Sequence, residues 1–162
     1  MRNLKWAILF FVMLPASVFA IDTKSFKDWE YVCPEKDSKA CFLSHIVADK
    51  SGKSLVMQVV VGKIKESKSP VIGFQLPPIL KSGQEINVAL DNDVLMTLDI
   101  KNCNEHHCQA LGALTHEFLK EFKTSNAGIV QFQSDTDKLV KIYFSLEGFT
   151  SAYNYFDKHA SV

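Results

Sequence analysis

The sequence holds no glycine-rich phosphate loop, no Gly-x-Ser-x-Gly elbow and no His-Glu-x-x-His pair. P-loop nucleotide chemistry, esterase chemistry on a nucleophile elbow and zincin-type proteolysis therefore lack their usual frames. There is no internal repeat, no low-complexity tract and no linker-like segment, so nothing divides the chain. An excess of either charge is also missing: 18 Lys and Arg stand against 18 Asp and Glu. Nucleic-acid binding wants a basic surface, and a polybasic membrane footprint wants clustered lysines and arginines. Beyond the first apolar run, no segment approaches the roughly 20 apolar residues that a membrane-spanning helix requires.

What is present begins at the N-terminus with MRNLKWAILFFVMLPASVFA. Arg2 and Lys5 form a positive start, Trp6 to Leu14 is unbroken apolar chain, and Pro15 ends it. Val18 and Ala20 then occupy the two small-residue positions that a signal peptidase reads. Residues 1–20 are expected to be a cleaved secretory signal, with Ile21 as the new first residue. Cleavage leaves residues 21–162 as one domain, long enough for a real core. It also removes two basic residues, so 16 basic side chains face 18 acidic ones. No transmembrane anchor is expected after cleavage. The expected setting is outside the cytosol.

The body of the chain reads as short strands. Trp29–Val32, Phe42–Val47, Leu55–Val61, Val71–Leu76, Ile86–Leu90, Leu95–Ile100, Ile129–Gln133 and Leu139–Phe144 are rich in β-branched and aromatic residues. Turn-forming clusters separate them at Lys50-Ser51-Gly52, Lys81-Ser82-Gly83, Asp91-Asn92-Asp93 and Ser134 to Asp137. The expected fold is mainly β: a compact antiparallel β-sandwich or barrel-like domain with one or two short helices, the last at the C-terminus. Pro77-Pro78 cannot lie inside a central strand. Thr115 is placed to cap a helix over His116–Lys123, with Phe118, Leu119 and Phe122 on one side and Asn126-Ala127-Gly128 as its stop. Phe149, Ala152, Tyr153 and Phe156 recur at helical spacing. Such a stripe can serve as a ligand platform, but it is more often the face by which a helix docks on a sheet.

The segment CNEHHC, Cys103 to Cys108, admits three readings. Two thiolates and two imidazoles are the right ligands for zinc, but neighbouring His106 and His107 point apart in extended chain. A redox pair is usually Cys-x-x-Cys at a helix start, and this spacing and setting differ. An exported chain with an even number of cysteines favours structural disulfides. Four cysteines allow three pairings. The local one, Cys33–Cys41 with Cys103–Cys108, is favoured because the crossed ones require distant segments to meet with specific geometry. His106 and His107 then sit on a small exposed loop, and no metal or cofactor is expected.

FKDWEYVC around Cys33, the second cysteine Cys41, FQLPPILKSG, the pair Cys103 and Cys108 followed by Ala110, and SLEGFTSAY from Ser145 to Tyr153 occur in that order. This order resembles the invasion-associated locus B family of exported bacterial proteins over nearly all of the mature chain. Members commonly carry Gly just before the last cysteine, where this chain has His107, and that departure bears on the conformation of the small loop. The resemblance implies a periplasmic or surface-exposed protein of a Gram-negative bacterium with a compact β-rich fold and, in some members, a role in host-cell invasion. It implies no catalytic residues. Of the family pattern only the cysteines carry a role across, as Cys33, Cys41, Cys103 and Cys108.

The function expected is an exported, non-enzymatic interaction or accessory protein. Its partner would be another protein or an envelope component, with no nucleic acid involved. Two alternatives come from other classes. A periplasmic enzyme would draw on His45, His106, His107, His116 or His159. A small-ligand carrier would show a large apolar cavity. The surface left for partners lies at strand edges and in the loops at Lys63–Ser69 and Asn102–His107. The first is basic enough to meet an acidic protein or lipid head group, though a solvated hairpin tip explains it as well.

Overall fold

The computed structural model describes residues 22–34, 40–65, 67–80, 83–90 and 93–160. The signal segment and its cleavage point lie outside the described residues. The elements in chain order are β1 (Asp22–Phe26), β2 (Trp29–Cys33), β3 (Phe42–Ala48), β4 (Leu55–Gly62), β5 (Val71–Leu76), β6 (Glu85–Leu90), β7 (Asp93–Cys103) and β8 (Cys108–Ala113). Helix α1 (His116–Thr124), β9 (Ala127–Gln133), β10 (Leu139–Ser145) and helix α2 (Phe149–His159) complete the chain.

Alternation of side chains builds the strands. In β4, Met57, Val59 and Val61 are fully buried, while Val56, Gln58 and Val60, which alternate with them, are half-buried on the other face. Every pairing is antiparallel, and the strand order is β1-β2-β3-β4-β5-β8-β7-β6-β9-β10. Strand β7, with 11 residues, is the longest. Asp93 to Asp99 pair with β6, and Ile100 to Cys103 pair with β8, with a register shift between Ile100 and Asn102. Such irregularities bend and twist a strand, and here the sheet curls into a half-barrel. Strand β10 returns over β2, β3 and β5. The Trp29 indole N–H donates to Ser145 O at 3.1 Å, and the Phe74 and Phe144 rings meet at 6.1 Å. The space enclosed is filled by Trp29, Phe74, Phe122, Phe149 and Phe156, all almost wholly buried. The mainly β, barrel-like fold with a last C-terminal helix is the one that the sequence pattern indicates.

Both helices form where their spacing places them. Thr115 is extended, and its Oγ1 accepts from Phe118 N at 3.3 Å, which starts α1. Phe122 is buried against Phe144 and Phe149, while Phe118 and Leu119 are only partly buried. The expected stop at Asn126-Ala127-Gly128 is not what ends this helix. Ser125 closes it in extended conformation, its N–H donating to Glu121 O at 3.0 Å, and Ala127-Gly128 already belong to β9. Gly128 serves close approach instead: a Cβ there would lie 2.3 Å from Phe144 Cζ and 2.9 Å from Leu90 Cδ2. Helix α2 buries Phe149, Ala152, Tyr153 and Phe156, the stripe expected of a docked face. Its C-terminal carbonyls are met by Lys63, whose Nζ donates to Asp157 O at 3.2 Å and Ala160 O at 3.1 Å.

Two strands escape the sequence pattern. Strand β1, Asp-Thr-Lys-Ser-Phe, is almost entirely exposed and has no apolar alternation. It is held by its hairpin with β2, through a turn in which Lys27 adopts a left-handed φ of 55°. Strand β8 is built largely of Cys, Ala and Gly, and its place is fixed by β5 on one side and β7 on the other.

The outer face of β3, β4, β5 and β8 carries three cross-strand rows. The first is Phe42, Gly62, Val71 and Ala113; the second is Ser44, Val60, Gly73 and Leu111; the third is Ile46, Gln58, Gln75 and Gln109. Ser44 and Gln58 are joined across neighbouring rows, with Gln58 Nε2 donating to Ser44 Oγ at 2.9 Å.

Candidate functional site

The structure joins Cys33 to Cys41 and Cys103 to Cys108. The first bridge ties the end of β2 to the start of β3. The second lies between directly opposed residues of the β7–β8 hairpin. Sulfurs joined in this way are not thiolates, which removes two ligands from any cage at CNEHHC. Among the described residues, no group of three or more His, Cys, Asp or Glu side chains is arranged to hold a metal ion. Asn104 organises the hairpin loop: its Oδ1 accepts from the backbone N–H groups of His106 and His107 at 2.8 and 2.9 Å. His107 needs no left-handed backbone here, so the loop accommodates it without the glycine of the family pattern.

The histidines are scattered. His106 is exposed, and His107 is half-buried with its Nε2 3.1 Å from Gln109 Nε2. His116 is exposed at the first turn of α1. His159 is exposed and stacks on Tyr155, ring centres 3.9 Å apart. Only His45 is buried. The alternation in β3 explains it, because Leu43 and His45 share the inward parity.

His45 sits where the β1–β2 turn meets the end of β10 and the start of α2. Its ring stacks on Trp29 at 5.4 Å, and Trp29 in turn meets the edge of Phe149 at 4.9 Å. Ser145 N donates to His45 Nε2 at 3.3 Å, and His45 Nδ1 lies 2.7 Å from Asp28 O. A ring that accepts at Nε2 carries its hydrogen at Nδ1 and donates it to Asp28 O. Both nitrogens are thus committed to backbone groups. The β1–β2 turn beside it is locked onto the start of α2. Asp28 N donates to Glu147 O at 3.4 Å, and Lys27 pairs with Glu147 at 3.2 Å across two exposed side chains. Gly148 adopts φ +87°, and a Cβ there would sit 1.9 Å from Phe26 O. Asp28, Trp29, Ser145, Leu146, Gly148, Phe149 and Ala152, the residues that carry the family resemblance, lie in the elements that converge on this junction.

Two open grooves flank the β1–β2 turn. One, of about 290 Å³, is lined by Lys27, Asp28, Glu30, Ser44, His45 and Ile46. The other, of about 390 Å³, runs past Lys27, Lys123, Asn126, Glu147 and Thr150. Ser44 and His45 are consecutive in a strand and face opposite sides of the sheet, so they cannot act as a nucleophile and its base. A third groove, of about 100 Å³, lies between Leu55, Pro77 and the loop of His106 and His107. That is well below the roughly 300 Å³ at which small-molecule sites begin.

Of the two loops expected to offer surface, the one at Lys63–Ser69 is partly committed elsewhere. Lys63 also pairs with Asp157 Oδ1 at 3.3 Å and lies over the Phe156 ring, so the helix end claims it before an acidic partner can. Glu66 of that loop lies outside the described residues. Burial raises the Tyr31 hydroxyl above its ordinary range, assisted by Tyr155 and Asp22. Burial, with the charge of Asp157, does the same for Tyr153. Asp49 is lowered, first by the hydrogen bond from the Ser51 side chain. None of the three lines a groove described above. Among the described residues, no helix is long and apolar enough to cross a membrane.

A family model described as "Invasion associated locus B (IalB) protein" matches residues 29–157. The fold is similar to the crystal structure of invasion associated protein B from Bartonella henselae. The TM-score is 0.74 at 13% identity, covering 84% of this chain and 96% of that one. At that identity the likeness speaks for the fold. No curated protein matches the sequence.

Proposed function

Because the chain belongs to the invasion associated locus B family, we propose that it is an exported binding module of the bacterial envelope that catalyses nothing. One observation carries this reading: the single buried histidine has both ring nitrogens engaged by backbone groups. Catalysis needs a positioned acid, base or nucleophile free to meet a substrate, and His45 is spent on holding the fold. The core aromatics support the same reading against a ligand carrier, since they fill the half-barrel. The signal sequence at residues 1–20 supplies the route of export, and the two disulfides suit an oxidising compartment. The family's association with invasion gives the setting in which a partner, protein or envelope component, is to be sought.

Two experiments test this. The intact mass of the exported protein is expected to begin at Ile21; retention of the first 20 residues would remove the export argument. His45, His106, His107 and His116 are each changed to Ala in a strain otherwise lacking the gene, and the deletion phenotype is assayed. The variants at 106, 107 and 116 are expected to restore wild-type behaviour. Loss of phenotype from one of these three, with export and folding intact, would favour an active site. A pull-down from periplasm and outer membrane then identifies the partner.

A further inference from the structure

We propose that the Cys103–Cys108 bond is a site of thiol–disulfide exchange, attacked at Cys103 by a partner that carries two thiols, while Cys33–Cys41 stays closed. Here the chain is modified and catalyses nothing, so the binding-module reading neither supports this site nor falls with it.

The four sulfurs are unequally covered. Cys33 and Cys41 are each only 7% exposed, so their bridge is shielded from both sides. Cys108 is fully buried, but its partner Cys103 is exposed. Exchange begins when a thiolate attacks one sulfur of a disulfide and expels the other, and access selects the sulfur attacked. Attack from solvent falls on Cys103 and makes the buried Cys108 the leaving group. Exposed disulfides are the labile and regulatory ones.

The hairpin keeps its shape without the bond. Cys103 and Cys108 are opposed in the β7–β8 ladder, and β8 pairs with β5 along its whole length, from Cys108 to Ala113. Within the loop, Asn104 N donates to His107 O at 3.0 Å, and Asn104 Oδ1 holds the N–H groups of His106 and His107. Register and turn are therefore set by hydrogen bonds. The bond adds stability by restricting the unfolded chain, but opening it leaves the sheet paired. Cys33–Cys41 differs, since it closes a short ladder that runs only from Glu30–Ser44 to Val32–Phe42.

An acceptor for the reduced pair is already in place. Leu80 O lies 3.6 Å from Cys103 Sγ and 3.5 Å from Cys108 Sγ. Disulfide sulfurs carry no hydrogen, whereas a thiol S–H donates. Reduction thus supplies this carbonyl with donors that the closed bond lacks.

The exchange balances as follows. The partner's thiolate bonds to Cys103 Sγ, the Cys103–Cys108 bond breaks, and its electron pair leaves on Cys108 Sγ, which takes a proton from solvent. The partner's second thiol, as thiolate, then attacks its own sulfur in the mixed disulfide and expels Cys103, which is protonated in turn. Two electrons and two protons pass to this chain, and the partner departs as a disulfide. The loop at Asn102–His107 is then held by hydrogen bonds alone.

The test uses protein exported and purified from the full-length chain. It is treated at about pH 8 with a small excess of dithiothreitol, a dithiol of the class proposed, then quenched with acid, alkylated and mapped. Cys103 and Cys108 are expected to be labelled at least about tenfold faster than Cys33 and Cys41. Far-UV circular dichroism should stay unchanged while only that pair is open. Cys108→Ser and Cys103→Ser each leave one thiol of the pair. The Cys103 thiol of the first is expected to form a mixed disulfide with glutathione disulfide at least about tenfold faster than the Cys108 thiol of the second. The proposal is overturned if Cys33–Cys41 opens first or together with the other bridge, or if circular dichroism falls in step with the first labelling. Equal reactivity of the two single thiols also overturns it. Should either variant fail to fold, the wild-type time course decides alone.

Discussion

Replacing His45 by Leu would keep the bulk of the ring's volume but leave Ser145 N and Asp28 O without the nitrogens that meet them. Buried backbone groups that lose their partners cost about 1–3 kcal/mol each, so a loss of about 2–4 kcal/mol is expected, read as a lower urea midpoint at unchanged slope. The tyrosines give a pH-dependent counterpart. Burial raises the Tyr31 and Tyr153 hydroxyls above their value in the unfolded chain, which is 10.0. Above that pH the unfolded state therefore binds fewer protons than the native state, and stability falls as pH rises. The contribution is whole below pH 10 and is lost as pH climbs through the folded values. Urea titrations between pH 9 and 11 should show the decline, and Tyr31→Phe or Tyr153→Phe should each lessen it.

Among the elements, the turn into α2 depends on one missing side chain. Gly148→Ala faces both a left-handed backbone and a carbonyl oxygen 1.9 Å from the new Cβ. A loss of more than about 3 kcal/mol is expected, beyond the 1–2 kcal/mol of the backbone conformation alone. Gly52 is the control: its φ is +70°, but nothing lies within 4 Å of a Cβ there, so Gly52→Ala should cost only the smaller amount. Thermal unfolding of the two variants separates conformation from contact. The sequence pattern reveals the elements whose own residues decide them, such as β4 with its strict alternation, α1 with Thr115, and the apolar stripe of α2. It conceals β1 and β8, which are strands because of what lies beside them. It also misreads Gly128, whose value is the room it leaves for Phe144 and not a turn. The inward parity of Leu43 and His45 in β3 does foretell a core histidine, but no local signal says that Ser145 and Asp28 would be its partners.

At the scale of the whole molecule, the two disulfides close short loops. Chain-entropy arithmetic gives roughly 2–3 kcal/mol for each, or about 5 kcal/mol together. That approaches the entire stability of many domains. Reduction is therefore expected to lower the melting temperature by about 10–20 °C, and Cys103→Ser with Cys108→Ser by about half as much, as calorimetry would show. The strand order also sets the timing of folding. Trp29 and Ser145 are bonded across 116 residues of chain, and His45 and Ser145 across 100. Contacts between distant segments close slowly, because the loop between them must be ordered before the contact is rewarded. Strands β2 and β3 can find each other early, yet the rings that secure them belong to the last helix to be made. A refolding experiment followed by Trp29 fluorescence should report that final closure, trailing the appearance of β structure in circular dichroism.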